Sequence, residues 1–139
     1  MEKEILETMI ERANAARKNA YAPYSKFPVG ACLRTTDGTL YVGCNSENAS
    51  FSMTICSESA AVASMVVGGH RKIADLVVVA ENVPECPPCG ACRQRIYEFS
   101  TPETKIYLCT KEGVLRKIIN IETLCTEPFN ASHIEDSMA

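Results

Sequence analysis

The chain has 139 residues, of which 46% are hydrophobic and 22% are charged, and its formal net charge is −3. This composition is typical of a globular protein and excludes a disordered or collagen-like chain. No apolar stretch approaches the roughly 20 residues that span a bilayer, and no basic stripe typical of nucleic-acid binding is present. We therefore predict a single domain over residues 1–139, with a small-molecule partner, no nucleic-acid polymer and no membrane. The charged N-terminus lacks an export signal, which predicts a cytoplasmic location.

The hydrophobic pattern predicts helices and strands that alternate along the chain. In chain order, the predicted elements are a helix over 3–20, strands over 30–35 and 40–45, a polar loop over 46–53, a helix over 55–67, a strand over 76–80, a helix over 90–99, two strands on either side of 111–113, and a short helix near residue 120. This order predicts an α/β domain in which helices cover the faces of a sheet. The helix over 55–67 is apolar on all sides, which predicts that one of its faces meets another subunit.

The eight cysteines fall into two groups. In a chain without an export signal, cysteines more often bind metal or do chemistry than form disulfides. Four lie in strand-like segments or near the last helix and are predicted to be small buried hydrophobic residues, namely Cys32, Cys44, Cys109 and Cys125. The other four lie at or just before the starts of two predicted helices, namely Cys56, Cys86, Cys89 and Cys92.

Three of these cysteines have the spacing of a metal site. Cys89 and Cys92 are three residues apart at a helix start, so they share one face and can hold one ion. Cys56 lies at the start of the preceding helix. Three cysteine ligands leave the fourth position of zinc to water, which is the pattern of a catalytic rather than a structural site. The two positive helix ends, together with Arg93, offset the negative charge of three thiolates.

Glu58 lies two residues after Cys56, at the start of the same predicted helix. Inside a helix these two positions face apart, but at a helix start both can reach the space in front of the N-terminus. A carboxylate that lies beside a zinc site without binding the metal can take a proton from water and deliver it elsewhere. We therefore predict that Glu58 is catalytic.

Two other interpretations of the cysteines stay open. Cys86 could join the three cysteines above and form a closed structural zinc site with four ligands. The pair Pro87-Pro88 argues against this site, because it holds Cys86 in an extended conformation away from the helix start. The Cys89–Cys92 pair could instead be a redox pair, although that chemistry uses neither Cys56 nor Glu58.

Four segments carry a family resemblance: Tyr21 to Ala31, Gly43 to Ser50, Cys56-Ser57-Glu58, and Pro88-Cys89-Gly90-Ala91-Cys92 followed by Arg93-Gln94. Together they resemble the small, three-cysteine, zinc-dependent cytidine deaminases, whose signature is H/C-x-E followed by P-C-x-x-C. The similarity runs from about residue 12 to residue 129. It implies a three-layer α/β/α cytidine deaminase-like fold with a mixed five-stranded sheet, and a homotetramer with active sites shared between subunits.

The resemblance also implies an activity and a role for each matching residue. The family reaction is the hydrolytic deamination of cytidine and 2′-deoxycytidine to uridine and 2′-deoxyuridine, a step of pyrimidine salvage. One zinc ion per chain would be held by Cys56, Cys89 and Cys92, and Glu58 would be the proton shuttle. The implied substrate-binding residues are Asn45 and Glu47 on the ribose 3′-hydroxyl, Phe27 against the pyrimidine, Ala49 and Phe51 nearby, and Phe129 supplied by a neighbouring subunit.

This sequence departs from the family pattern at four places. Ser59 stands where the family has an arginine that balances the thiolate charge, which predicts a slower enzyme or a substituted source of positive charge. Phe51 replaces a common tyrosine, Pro87 replaces a serine, and Phe129 is followed by Asn130 rather than glycine. These departures leave open a divergent deaminase that acts on a modified nucleoside or another amino-heterocycle.

Overall fold

The computed structural model describes the backbone of residues 1–138 and the side chains of residues 1–134. In chain order, its elements are α1 (Lys3–Arg17), β1 (Val29–Thr35), β2 (Leu40–Cys44), a 3₁₀ helix (Phe51–Met53), α2 (Ser57–Val67), β3 (Ile73–Ala80), α3 (Gly90–Glu98), β4 (Ser100–Cys109), β5 (Leu115–Asn120), α4 (Ile121–Leu124) and α5 (Ala131–Met138). None of the helices within residues 1–138 is both long enough and apolar enough to cross a membrane.

The five strands form one mixed sheet in the order β2-β1-β3-β4-β5. The β3–β4 pair is parallel, because α3 connects the two strands, and the other three pairs are antiparallel. The Asp37-Gly38 turn joins β1 to β2, with Gly38 at a φ of 94°. The mixed five-stranded sheet expected from the sequence is confirmed.

Helices cover both faces of the sheet, which explains why residues 76–80 of its central strand are all apolar. Side chains of a strand alternate between faces, so Val77 and Val79 of β3 pack beneath α1, whereas Leu76 and Val78 face α2 and α3. Burying each of these side chains stabilises the fold by roughly 1.5–3 kcal/mol. The predicted three-layer α/β/α arrangement is therefore confirmed.

The differences from the predicted elements are local. The first helix ends at Arg17 rather than near residue 20, and the polar loop over 46–53 ends in the short 3₁₀ helix Phe51–Met53. The C-terminal helix α5 was not predicted. In the single chain, α2 buries only one face, and Val67 on its other side is 90% exposed. The second apolar face of α2 is therefore free in the chain, and its contact with another subunit stays a prediction.

The start of α2 is held close to the sheet by a glycine. A Cβ atom at Gly43 of β2 would lie 2.4 Å from the Ser57 carbonyl oxygen and 2.5 Å from the Ala61 nitrogen, both in the backbone of α2. Only a residue without a side chain allows two backbones to approach so closely. Gly43 therefore sets the position of the helix start that carries Cys56 and Glu58.

Candidate active site

The starts of α2 and α3 lie next to each other on one face of the sheet. Cys56 is the N-cap of α2, Cys89 is the N-cap of α3, and Cys92 is the third residue of α3. The Sγ atoms of these three cysteines lie within 4.8 Å of one another, and those of Cys56 and Cys89 are 3.7 Å apart. The structure thus brings together the three cysteines that the spacing predicts as one metal site.

The geometry of the three sulfur atoms suits one zinc ion. With Zn–S bonds of about 2.3 Å, tetrahedral coordination places sulfur ligands about 3.8 Å apart, close to the measured separation of Cys56 and Cys89. Both helix N-termini point their free N–H groups toward this space, and their dipoles favour the negative charge of thiolates. The three-cysteine cluster therefore fits zinc in both spacing and charge.

The pKa values of two of these thiols depend on each other. A hydrogen bond from Cys92 lowers the pKa of the Cys56 thiol. The same contact, together with burial, raises the pKa of the Cys92 thiol. A metal ion displaces the thiol protons when it binds cysteines as thiolates.

Cys86 lies outside this cluster. Within residues 1–134, the group of facing metal-binding side chains contains Cys56, Cys89 and Cys92 alone. Cys86 packs against the core beside them, and its Sγ is 4.0 Å from the carbonyl oxygen of Pro87. Burial and the nearby Glu58 raise the pKa of its thiol. This arrangement does not favour the closed four-cysteine site.

Glu58 is the second residue of α2 and is only 4% exposed. Burial raises the pKa of its carboxyl, although hydrogen bonds from the Ser57 hydroxyl and from Cys92 partly oppose the shift. The contact with Cys92 places the carboxylate at the sulfur cluster. The helix start therefore does present Glu58 and Cys56 to the same space, as the sequence analysis assumes.

A second contact between the two helices involves Ser59, Cys92 and Arg95. Arg95 was not identified from the sequence. The Oγ atom of Ser59 lies 3.0 Å from the Sγ atom of Cys92, and Nη1 of Arg95 donates a hydrogen bond to the same Oγ at 3.0 Å. Arg93 donates instead to the carbonyl oxygens of Pro88 and Leu124. The available signal for Arg95 was its spacing of three residues from Cys92, which places both on one face of α3.

Asn45 connects the end of β2 to the start of β1. Its side chain is buried, with Oδ1 accepting from the Val29 N–H at 2.9 Å and Nδ2 donating to the Phe27 carbonyl oxygen at 3.0 Å. One N–H of the amide group is left for a further acceptor. The Phe27 ring is partly buried against the core cluster that contains Cys92. Asn45 and Phe27 are therefore fixed relative to each other.

Glu47 anchors the loop that precedes β1. Its Oε1 accepts from the backbone N–H groups of Tyr24 and Ser25 at 3.0 Å each, and its Oε2 accepts from the Ser25 hydroxyl. These hydrogen bonds, the Ser25 hydroxyl first among them, lower the pKa of the Glu47 carboxyl. Glu47 is thus held as a carboxylate, beside a shallow groove of about 390 Å³ that Tyr24, Phe51 and Thr54 also line.

The remaining predicted binding residues lie on the surface of the single chain. Ala49 is exposed, and the Phe51 ring is 74% exposed and meets Tyr24 edge-on at 6.0 Å between centroids. The backbone of Phe129 is tied to α3, because the Gln94 amide donates to its carbonyl oxygen at 2.7 Å and accepts from its N–H at 3.3 Å. The Phe129 ring itself is 59% exposed and stacks on His133.

Comparisons with known proteins agree with this geometry. Residues 3–108 match the family model of the cytidine and deoxycytidylate deaminase zinc-binding region. The chain is 47% identical over 108 residues to a cytidine deaminase of Sporosarcina psychrophila, covering 78% of this chain and 79% of the relative. It is 39% identical over 128 residues to a cytidine deaminase of Halalkalibacterium halodurans, covering 92% and 96%.

Solved structures give the same result. The crystal structure of a cytidine deaminase from Burkholderia pseudomallei superposes with a TM-score of 0.82 at 40% sequence identity, covering 93% of this chain and 100% of the other. The family model spans most of the chain, and it includes all three cysteines of the cluster and Glu58. The chain therefore belongs to the cytidine and deoxycytidylate deaminase family.

Proposed function

We propose that this protein catalyses the hydrolytic deamination of cytidine and 2′-deoxycytidine to uridine and 2′-deoxyuridine, with one zinc ion held by Cys56, Cys89 and Cys92. The observation that supports this most directly is the buried Glu58 carboxylate beside three facing sulfur atoms at two helix starts. A closed structural zinc site gives this carboxylate no role, and a redox pair of Cys89 and Cys92 gives Cys56 no role.

Zinc, when bound, lowers the pKa of a water molecule and so supplies a nucleophile at neutral pH. The residues of this chain handle the protons. Glu58 accepts a proton from the water at a carboxylate oxygen and delivers it to N3 of the pyrimidine, while the water oxygen attacks C4. The same carboxylate then takes the remaining proton of that oxygen, now a hydroxyl on C4, and transfers it to the amine, so that the C4–N bond breaks and ammonia leaves. Its burial suits this role, because a raised pKa lets a carboxyl hold a proton nearer neutral pH.

Binding of the nucleoside is assigned to the loops around β1 and β2. The free N–H of the Asn45 amide and the ionised Glu47 would take the ribose 3′-hydroxyl, and the Phe27 ring would pack against the pyrimidine. Ala49 and Phe51 would lie beside them. The buried hydrogen bonds of Asn45 support its part, because they fix the direction of the remaining N–H. A cytoplasmic, reducing location would keep the three thiolates available to zinc.

We also propose that the active form is a homotetramer in which Phe129 completes the site of a neighbouring subunit. Large apolar side chains are exposed in the loops near the groove beside Glu47 and at the end of α2, which supports burial against other copies of this chain. These side chains are Tyr21, Tyr24, Phe51, Met53, Ile55 and Val67.

The proposed function is tested by measuring ammonia release from cytidine by the zinc-loaded protein, with Glu58→Gln as the matched control. We expect turnover in the wild type and a loss of about 10²–10⁴-fold in E58Q, because the amide cannot carry the proton. Zinc content per chain should be equal in both proteins. A wild type that holds zinc but releases no ammonia from cytidine or deoxycytidine contradicts the proposal.

The same assay, run on a panel of modified nucleosides and other amino-heterocycles, tests the second candidate function. That candidate is a divergent deaminase, and the departures at Phe51, Ser59 and Asn130 favour it. Turnover of another amine without turnover of cytidine would support it.

A further inference from the structure

We propose that Arg95 is a positioning residue of the zinc centre, which acts on the Cys92 sulfur through the hydroxyl of Ser59. The inference rests on the zinc centre of Cys56, Cys89 and Cys92 proposed above. Two contacts support it: Nη1 of Arg95 donates to Oγ of Ser59 at 3.0 Å, and this Oγ lies 3.0 Å from Sγ of Cys92.

The contact follows from how the two helices face each other. Their N-caps, Cys56 and Cys89, lie 3.7 Å apart at the sulfur atoms. Ser59 and Cys92 are the third residues of the same two helices, so they also meet. Arg95 lies three residues after Cys92 on the same face of α3, and its long side chain reaches Ser59 across the helix pair.

The zinc centre needs positive charge close to its sulfur atoms. Three thiolates and one divalent cation leave a net charge of −1, and an ionised Glu58 would add another negative charge. Ser59 is only 8% exposed and Cys92 is fully buried, so water screens this excess charge poorly. A guanidinium group linked to Cys92 through one hydroxyl offsets part of it.

The direction of the hydrogen bonds follows from the chemistry of the groups. A thiolate that binds a metal has no proton and can only accept, so the single hydroxyl hydrogen of Ser59 donates to Cys92. Arg95 donates to a lone pair of the same oxygen and polarises the hydroxyl further. A thiolate that accepts a hydrogen bond gives less electron density to the metal. The bound metal then stays a stronger Lewis acid.

Arg93, the other arginine of α3, makes its hydrogen bonds to backbone carbonyls. It donates to the carbonyl oxygen of Pro88 at 2.8 Å and to that of Leu124 at 3.0 Å. Its role is to hold the loop before α3 and the end of α4. The substituted source of positive charge that the sequence predicts, because Ser59 replaces an arginine, is therefore assigned to Arg95.

The first test is the zinc affinity of Arg95→Gln, measured by competition with a chromophoric chelator. We expect binding to weaken by about tenfold, which is typical when an outer partner of a metal ligand is lost. Ser59→Ala should weaken it similarly, and the double variant should be little worse than either single one, because both act on one contact. Arg71→Gln is the charge control, since Arg71 donates to backbone carbonyls at the far end of α2.

The second test distinguishes the charge from a merely structural role. In S59R/R95Q the guanidinium moves to α2, so zinc affinity should return toward the wild-type value. R95K, which keeps the charge, should lie between wild type and R95Q. R95Q should also lower kcat for cytidine with KM unchanged. The proposal is overturned if R95Q binds zinc as tightly as wild type.

A separate variant, Cys89→Ala, tests whether the zinc centre exists at all. If Cys89→Ala retains wild-type zinc affinity, the zinc centre is wrong. If C89A loses zinc while R95Q does not, only the role of Arg95 is wrong.

Discussion

Cys86 has the even spacing of a fourth zinc ligand, yet it lies outside the group of three facing sulfur atoms. Pro87 and Pro88 separate it from the start of α3, and its sulfur faces the Pro87 carbonyl oxygen instead. A proline pair keeps the preceding residue extended, so Cys86 cannot follow the helical spacing of Cys89 and Cys92. At the scale of the residue, local backbone chemistry thus overrides a regular spacing.

This position predicts that Cys86→Ala keeps one zinc per chain and wild-type zinc affinity. Cys89→Ala is the matched comparison and should lose affinity by more than the roughly 10–100-fold typical of outer partners, because it removes a ligand. Metal analysis after dialysis and chelator competition measure both variants. Loss of zinc from C86A to the extent seen in C89A would restore the closed four-cysteine site.

At the scale of the element, the position of α2 decides whether Cys56 and Glu58 reach the site. Gly43 allows β2 and α2 to approach within the space of a Cβ atom. Gly30 plays the same part for α1 on the other face of the sheet, where a Cβ atom would lie 2.0 Å from the Ala13 carbonyl oxygen. Gly43 contacts the helix that carries site residues, whereas Gly30 contacts a helix on the opposite face of the sheet. The two glycines can therefore be compared as matched positions.

We predict that Gly43→Ala reduces both stability and activity. Overpacking costs about 1–3 kcal/mol, and a shift of the helix start by even 1 Å can cost about 10²-fold in rate. Urea unfolding and kcat/KM at a temperature where the variant is folded measure the two effects. Gly30→Ala should lose comparable stability with less loss of activity. An equal loss of activity in the two variants would contradict the role assigned to Gly43.

A hydrogen-bonded chain connects the far end of α2 to the β1–β2 turn. The Tyr41 hydroxyl lies 2.8 Å from Nδ1 of His70, and Nε2 of His70 lies 2.9 Å from Oδ2 of Asp37. A carboxylate only accepts, so Nε2 of His70 donates to Asp37. Hydrogen bonds from Thr35, His70 and Thr39 lower the pKa of the Asp37 carboxyl below its ordinary value of 3.8.

The lowered pKa of Asp37 predicts that the free energy of unfolding depends on pH. A carboxyl whose pKa is lowered in the folded state contributes stability that is complete above its unfolded pKa and is lost as pH falls through the folded value. Wild type should therefore be more stable than Asp37→Asn at neutral pH, and the difference should shrink below about pH 4. Unfolding by urea across a pH series measures it. A difference that stays constant with pH would contradict the assigned contacts.

The sequence predicts regular elements well and contacts between elements poorly. The end of α2 follows from Gly68-Gly69, and the start of α3 follows from Pro88-Cys89-Gly90. The buried run of β3 follows from its β-branched residues. The 3₁₀ helix Phe51–Met53 is too short to show a period. The contact of Arg95 with Ser59 depends on how two helices cross, which no local pattern encodes.

At the scale of the whole molecule, the single chain exposes several large aromatic and aliphatic side chains. Phe51 and Met53 are 74% and 64% exposed, although both belong to one short helix beside the groove. Val67, at the end of α2, is 90% exposed. Exposed apolar side chains beside a binding groove are typical of an interface between subunits.

The proposed homotetramer predicts that light scattering at micromolar concentration gives about four times the 15.2 kDa of one chain. Met53→Glu should lower this mass, because a charge buried without a partner destabilises an interface. Val114→Glu adds the same charge at the exposed β4–β5 turn and is the control. A wild-type mass of one chain would contradict both the tetramer and the shared site.

Sharing of the site is tested by mixing two inactive variants. Phe129→Ala keeps the zinc ligands, whereas Cys89→Ala keeps the Phe129 ring, so each lacks a different part of the proposed site. If Phe129 serves a neighbouring subunit, hybrids assembled from the two should regain ammonia release, because some sites combine zinc from one chain with the ring from another. Hybrids that stay inactive, although mass measurements confirm their assembly, would place Phe129 outside the active site of its neighbour.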